Sequence, residues 1–176
     1  MTDEAEQPAV QATSGATATV LQRLLDLLHA HGVAYRRMDH PPVYTSQQAA
    51  QVRGTSLRSG AKALLCKMED RFALFVLPAD HRLANRLVRQ ALGVRHLRFA
   101  TPEEVWQITH LRPGSIPPFG SLFGLTTYCD QRLTTEPQIN FNAGDHCVSL
   151  TIEVSDFLKI ERPIVGQFAE GDSSAS

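Results

Sequence analysis

The sequence is poor in cysteine, and it contains no long apolar run. Its 176 residues include three cysteines, an odd number that does not make a disulfide framework. Cys66, Cys129 and Cys147 each lie in an apolar, strand-like segment, which predicts reduced thiols in the core of a cytoplasmic protein. No stretch approaches the ~18 apolar residues of a membrane span, and the acidic N-terminus lacks the apolar segment of a secretory signal. The length predicts one domain.

The motifs of common catalytic and nucleotide-binding sites are also missing. The chain has no G-x-S-x-G, no Walker loop and no G-x-G-x-x-G. Its seven histidines and three cysteines show neither H-x-x-x-H nor C-x-x-C spacing. We therefore expect neither a metal ion nor a cofactor.

Charge is distributed unevenly. Residues 1–18 and 167–176 hold five acids and no base, so the region between them holds 13 acids against 17 bases. This mild positive charge favours a polyanionic partner, and a mixed solvated surface explains it equally well. Both end segments are of low complexity and are predicted to be disordered tails, which leaves one domain over 19–166. No membrane and no DNA partner is expected.

Helical and strand-like segments alternate between the tails without a regular βαβ rhythm. The pattern predicts a single α+β domain, with a mixed sheet of six or seven strands flanked by short helices. The predicted helices are 20–31, 47–53, 80–92 and 102–109, followed by a terminal helical turn at 156–160. The predicted strands are 33–38, 61–68, 72–77, 95–99, 122–129, 139–142 and 147–154.

Lys62 begins an apolar face of a predicted strand, which it shares with Leu64 and Cys66. An ammonium group in such a place is costly to bury unless something pairs with it. The small residues Ala61 and Ala63 leave space beside it. Either Lys62 has a functional role, or its side chain reaches water from the end of the strand.

Two loops are further candidate sites. Residues 112–120 hold five prolines or glycines in nine positions. Such a stiff loop with exposed N–H groups suits an anion or a developing oxyanion, or it is a rigid connector. Asn142 stands two residues before Gly144 at a strand end, where it offers a donor and an acceptor to a ligand or simply forms a turn.

Six segments, in this order, resemble the YbaK/prolyl-tRNA synthetase-associated domain family. They are HPPVYTS at 40–46, AKAL at 61–64, VLPAD at 76–80, FATPEEV at 99–105, GSIPPFG at 114–120 and FNAG at 141–144. The similarity runs from about residue 20 to residue 163. Free-standing and inserted members hydrolyse mischarged aminoacyl-tRNA. The resemblance therefore implies an editing deacylase with a strongly curved mixed sheet and a cleft for the tRNA 3′ end.

The resemblance also implies which residues form the site. The family's key lysine falls on Lys62 and its G-x-x-x-P loop begins at Gly114, so both are expected to be catalytic. The residues expected to contact the substrate are Thr45, Ala63, Ser115, Ile116, Pro117, Pro118, Phe119, Gly120, Asn142 and Gly144. The expected partner is the 3′ end of aminoacyl-tRNA, and a synthetase or an elongation factor is the candidate protein partner.

The amino acid that would be removed stays open. Members that clear alanine from proline tRNA carry Asn after the lysine and His near position 142, whereas this chain has Ala63 and Asn142. The cysteinyl-specific branch usually carries Thr after the lysine. We expect the substrate to be a prolyl-tRNA carrying a wrong small amino acid. The alternative is a non-catalytic module that binds tRNA or a nucleotide in the same cleft.

Overall fold

Helices and strands alternate along residues 17–171, the part of the chain that the computed structural model describes. The described helices are α1 (Val20–Ala30), α2 (Ser46–Arg53), α3 (Asn85–Leu92), α4 (Pro102–Thr109) and α5 (Val154–Glu161). The described strands are β1 (Arg36–Asp39), β2 (Ala61–Met68), β3 (Arg71–Pro78), β4 (His81–Leu83), β5 (Leu97–Phe99), β6 (Thr127–Asp130), β7 (Gln138–Asn142), β8 (Val148–Glu153), β9 (Ile164–Gly166) and β10 (Ala169–Gly171). None of the helices in this part of the chain is long and apolar enough to span a bilayer. Residues 1–16 and 172–176, which belong to the predicted tails, lie outside the described residues.

The α+β class is confirmed, but the arrangement of the strands differs from the prediction. The described strands form three sheets instead of one: a mixed sheet in the order β5-β2-β3-β6-β9, an antiparallel sheet β1-β8-β7 and a pair β10-β4. None of these sheets is strongly curled or closed, so the expected strong curvature is not found. Hydrophobic periodicity identifies strands but not their partners, and it could not divide them among sheets.

The hairpin of β2 and β3 forms the centre of the domain, and its boundaries agree closely with the predicted strands. Alternate residues of β2 pack into two different hydrophobic clusters, since successive side chains point to opposite faces. Leu65 joins the larger cluster with Leu74, whereas Cys66 joins the smaller one with Phe75. The hairpin is thus covered on both faces, and Lys62 lies at the start of the face that carries Cys66.

The strand pair β4–β10 is absent from the sequence prediction. The helix expected to start at Asp80 begins only at Asn85, because residues 81–83 pair with Ala169–Gly171. Phe168 is only 2% exposed and packs in the smaller cluster. The expectation that a disordered tail begins at residue 167 is therefore wrong for residues 167–171.

The predicted strand at 122–129 is shorter than expected. Its first part forms a 3-10 turn, Gly120–Phe123, which ends at Gly124 with φ at +67°. Gly124 breaks the extended conformation, since positive φ is readily available to glycine. Of the cysteines, Cys66 and Cys129 are buried as expected, whereas Cys147 is partly exposed.

Candidate active site

A small cleft of about 190 Å³ lies where four parts of the chain meet. These are α2, the start of β2, the loop at 112–116 and the end of β7. Gly60, the residue before β2, forms an isolated parallel β-bridge with Asn140 of β7 beside this cleft. Six of the residues predicted to form the site line it: Thr45, Lys62, Ala63, Gly114, Ile116 and Asn142.

The edge of β2 opens into the cleft because its neighbour β5 is short. β5 pairs only with Cys66–Met68, and the amide of Ala100 then donates to the carbonyl of Leu65 at 2.9 Å. Backbone groups of alternate residues point to the same side of a strand. The N–H and C=O of Ala63, two residues before Leu65, therefore face the cleft and give it one donor and one acceptor.

Lys62 lines the same cleft, and its Nζ donates a hydrogen bond to the carbonyl oxygen of His81. His81 stands at the start of β4, so this contact holds the lysine stem against the β3–β4 connection. The side chain is partly buried, as the apolar face of the strand requires. The His81 carbonyl gives the ammonium group a neutral acceptor, and Lys62 lines the cleft.

Gly114 is the exposed corner of the proline-rich loop, with φ at +90°. The Asn142 side chain donates through Nδ2 to the Gly114 carbonyl at 2.8 Å. One residue further along, the carbonyl of Ser115 accepts from the Gly144 amide at 2.9 Å. The segment 142–144, at the end of β7, thus holds the start of the proline-rich loop through two hydrogen bonds. The two loops that the sequence suggested as separate candidate sites are therefore joined in the structure.

Only the first part of the loop is available to a substrate. Residues 115–120 are buried, and Phe119 lies in the larger cluster with its ring edge-on to Phe141 and Phe157. The residues predicted to bind substrate that do not line the cleft are Ser115, Pro117, Pro118, Phe119, Gly120 and Gly144. Most of these residues pack in the interior and hold the exposed start of the loop in place. The sequence suggested a surface turn because of its prolines and glycines, but tertiary packing buries residues 115–120.

Backbone N–H groups of the loop can be assigned one by one. The Ser115 amide is taken by the carbonyl of Arg112 at 3.2 Å, and Pro117 has no N–H. The amides of Gly114 and Ile116 have no acceptor within residues 17–171, and both residues line the cleft. Two N–H groups two residues apart are therefore available for an anion.

Arg53 is a charged residue of the cleft that the sequence did not identify as part of the site. It ends α2, where Nε donates to Ser149 Oγ and Nη2 donates to Asn142 Oδ1, both at 2.8 Å. Burial lowers the pKa of its guanidinium to about 10. In a chain with 17 lysines and arginines, one arginine before a glycine gives no distinguishing signal.

The described residues that line the cleft include the cations Arg53 and Lys62 but no Asp, Glu or His. Nowhere within residues 17–171 do three His, Cys, Asp or Glu side chains lie close enough to hold a metal ion. The cleft is thus a small, positively charged site with backbone donors and neutral hydroxyl and amide groups.

Comparison with known proteins identifies the family of this chain. The sequence profile of the aminoacyl-tRNA editing domain matches residues 40–160. The multifunctional Ser/Thr-tRNA deacylase ProXp-y of Escherichia coli K12 is 32% identical over 152 residues, 84% of this chain and 91% of that protein. The proline–tRNA ligase of Bacillus subtilis 168 is 29% identical over 115 residues, 64% of this chain but 20% of the ligase.

Among solved structures, a candidate trans-editing enzyme for prolyl-tRNA synthetase superposes with a TM-score of 0.77 at 25% identity. The match covers 89% of this chain and 100% of that one. The resemblance drawn from the six sequence segments is therefore confirmed, and the chain belongs to the aminoacyl-tRNA editing domain family.

Proposed function

We propose that this chain is an aminoacyl-tRNA deacylase that hydrolyses the ester between a wrongly attached amino acid and the 3′-terminal ribose of tRNA. The observation that carries the proposal is that Lys62, Gly114 and Ile116 line one small cleft, where the amides of Gly114 and Ile116 have no acceptor within residues 17–171. An ester carbonyl needs such donors when water attacks it, because negative charge then develops on its oxygen.

The reaction has two steps, the attack of water on the ester carbonyl and the departure of the ribose oxygen. Water adds to the ester carbonyl, and the amides of Gly114 and Ile116 bind the oxyanion of the tetrahedral intermediate. The C–O bond to the ribose then breaks, which releases the free amino acid and tRNA with an intact terminal hydroxyl. Lys62 supports the developing charge and orients the aminoacyl group or the terminal nucleotide.

The proton of the attacking water needs an acceptor. No Asp, Glu or His lies among the described residues that line the cleft. We assign a proton relay to the neighbouring hydroxyl of the terminal ribose, which is part of the substrate. It accepts the proton of the attacking water and passes its own proton to the ester oxygen that leaves as the terminal hydroxyl. In this proposal the backbone carbonyl of Ala63 accepts a hydrogen bond from the α-ammonium group of the amino acid.

Small side chains on the cleft wall favour a small amino acid. Ala49, Ala61 and Ala63 line a space of about 190 Å³, together with Ile116. Exclusion by size is useful here, because a missing methylene gives a synthetase only ~1–3 kcal/mol of discrimination. We propose proline tRNA as the carrier, since the related ligase and the similar trans-editing structure are both prolyl systems.

The mild positive charge of the cleft suits the anionic 3′ end of tRNA. We also propose that a synthetase or an elongation factor delivers the substrate. The proposed location is the cytoplasm, where charged tRNA is made.

A panel of proline tRNAs charged with Ala, Ser, Thr, Cys or Pro tests this function. We expect release of at least one small amino acid far faster than spontaneous hydrolysis, with Pro released slowly. Turnover of none of them, together with retained tRNA binding, would instead support a non-catalytic binding module.

A further inference from the structure

Arg53 holds more hydrogen-bond donors than its surroundings use. A guanidinium has five N–H groups. Two of them donate to Ser149 Oγ and Asn142 Oδ1, each at 2.8 Å, and the other three have no acceptor within residues 17–171. Arg53 lines the cleft, so its unused donors lie at the wall where a substrate enters.

The charge of Arg53 is also not compensated inside the described structure. Both of its partners are neutral, and no Asp or Glu of residues 17–171 lies within ion-pair distance of it. Partial negative charge at the C-terminus of α2 favours a cation there, but only weakly. A cation that is mostly removed from water normally has an anion beside it. A cation at the cleft wall with no Asp or Glu partner within residues 17–171 points to an anionic group of the ligand.

The chemistry of the unused donors selects that group. A guanidinium presents its N–H groups as a planar fork, which matches the oxygens of a phosphate. RNA carries such a group at every nucleotide, whereas the ester and the amino acid side chains of the proposed substrates are neutral. The two hydrogen bonds to Ser149 and Asn142 fix the plane of the fork, so the remaining N–H groups are oriented before the ligand arrives.

We propose that Arg53 forms a phosphate-binding subsite of the cleft, which holds the phosphodiester on the 5′ side of the terminal nucleoside of the tRNA. The proposal rests on the deacylase function proposed above. It also links substrate binding to the reaction, because Asn142 receives a hydrogen bond from Arg53 and donates one to the carbonyl of Gly114. Arg53 therefore positions the loop whose amides bind the oxyanion.

Two stable substrate analogues test the subsite. They are 3′-deoxy-3′-(serylamino)adenosine and its 5′-monophosphate, which resist hydrolysis and differ only in the phosphate. Their dissociation constants are measured by calorimetry with the full chain. We expect the phosphorylated analogue to bind wild-type protein about 10- to 100-fold more tightly, as a charge-assisted pair would give.

Arg53→Met should remove most of this difference, and Arg53→Lys should keep part of it. Arg58→Met is the matched control, because Arg58 is exposed and paired with Glu136 and does not line the cleft. Thermal melts identify a variant that fails to fold, in which case Arg53→Lys decides the result alone. Equal affinity of wild type for both analogues, or an equal loss for both in Arg53→Met, would overturn the proposal. Continued deacylation of the charged tRNA panel in that case would leave the proposed function intact.

Discussion

Gly114, whose amide we propose as an oxyanion donor, has a backbone conformation that only glycine adopts easily. Its φ is +90°, and a Cβ placed there would lie 3.3 Å from Cε1 of His146. An alanine would be strained at this φ and would press on the His146 side chain, so we expect the loop that carries the amides of Gly114 and Ile116 to shift. The identity of this residue thus determines the geometry of the proposed oxyanion site.

Gly114→Ala should lower the deacylation rate by about 10²-fold, the usual effect of a misplaced oxyanion donor. The free energy of unfolding should fall by about 1–2 kcal/mol because of the positive φ. Gly93→Ala is the control, since Gly93 has φ at +66° with open space around it and lies outside the cleft. It should lose stability while keeping activity. An active Gly114→Ala enzyme would exclude this loop from catalysis.

The three cysteines should differ in reactivity. Burial raises the pKa of the Cys66 and Cys129 thiols to about 12, so they stay protonated at neutral pH. Cys147 is partly exposed, although burial and Asp145 also raise its pKa. Iodoacetamide at pH 8 should therefore modify Cys147 alone in the folded protein, and all three in denaturant, as measured by intact mass. Early labelling of Cys66 would mean that the core opens readily.

Among the helices and strands, α4 has a start that is specified by residues adjacent in the sequence. Thr101 Oγ1 accepts from the Glu104 amide, and Glu104 Oε2 accepts from the Thr101 amide, so both arms of the capping box are formed. Arg98 also pairs with this carboxylate at 2.7 Å. The hydrogen bonds from Arg98 and from the Thr101 amide lower the pKa of Glu104 to about 2 from a usual value of 4.5.

Glu104→Gln tests this arrangement through the pH dependence of stability. The folded protein favours the charged carboxylate, so its contribution is present above about pH 4.5 and is lost as the pH falls towards 2. Gln keeps the capping geometry but not the charge. Wild type should be more stable at pH 7, and the gap should narrow with acid in urea titrations. A gap independent of pH would contradict the shift.

Elements with local signals could be predicted from the sequence, whereas elements that depend on distant partners could not. The capping box and the β2–β3 hairpin follow from residues adjacent in the chain. β4 and β10 are three residues each, and each is a strand only because the other lies beside it. Three residues are too few for periodicity to separate a strand from a helix start or a tail.

At the scale of the molecule, the segment 167–171 closes the smaller hydrophobic cluster. The amides of Phe168 and Ala169 both donate to Oδ2 of Asp130 at 2.9 Å, and that carboxylate is fully buried. Arg132 pairs with the same side chain. The last strand therefore satisfies a buried charge as well as filling the core.

A chain that ends at Gly166 should be much less stable than one that ends at Gly171. Loss of the buried Phe168 ring alone is expected to cost about 3–5 kcal/mol, and Asp130 would lose two donors as well. Urea unfolding of the two chains gives the comparison, with Phe168→Ala in the full chain as the single-residue counterpart. Equal stability would mean that this segment is dispensable.

The candidate site was only partly predictable. Lys62 and Gly114 are identified by the family resemblance, and both line the cleft. Packing determines which loop residues face the cleft, because Phe119 lies in the core and its neighbours are buried with it. Arg53 becomes recognisable only when α2 is placed against β7 and β8. The family resemblance predicts which residues take part, and the tertiary structure shows which of them line the cleft.

We infer that this cleft hydrolyses aminoacyl-tRNA with Lys62 at the reacting ester. The most direct test is the single-turnover deacylation rate of the best substrate from the panel, measured for wild type, Lys62→Ala and Lys67→Ala. Lys67 lies five residues along the same strand, over the Phe72 ring and outside the cleft. We predict a loss of about 10²–10³-fold for Lys62→Ala, with a thermal melt like that of wild type, and little change for Lys67→Ala. A Lys62→Ala enzyme that folds and reacts within about twofold of wild type would mean that Lys62 does not act at the reacting ester.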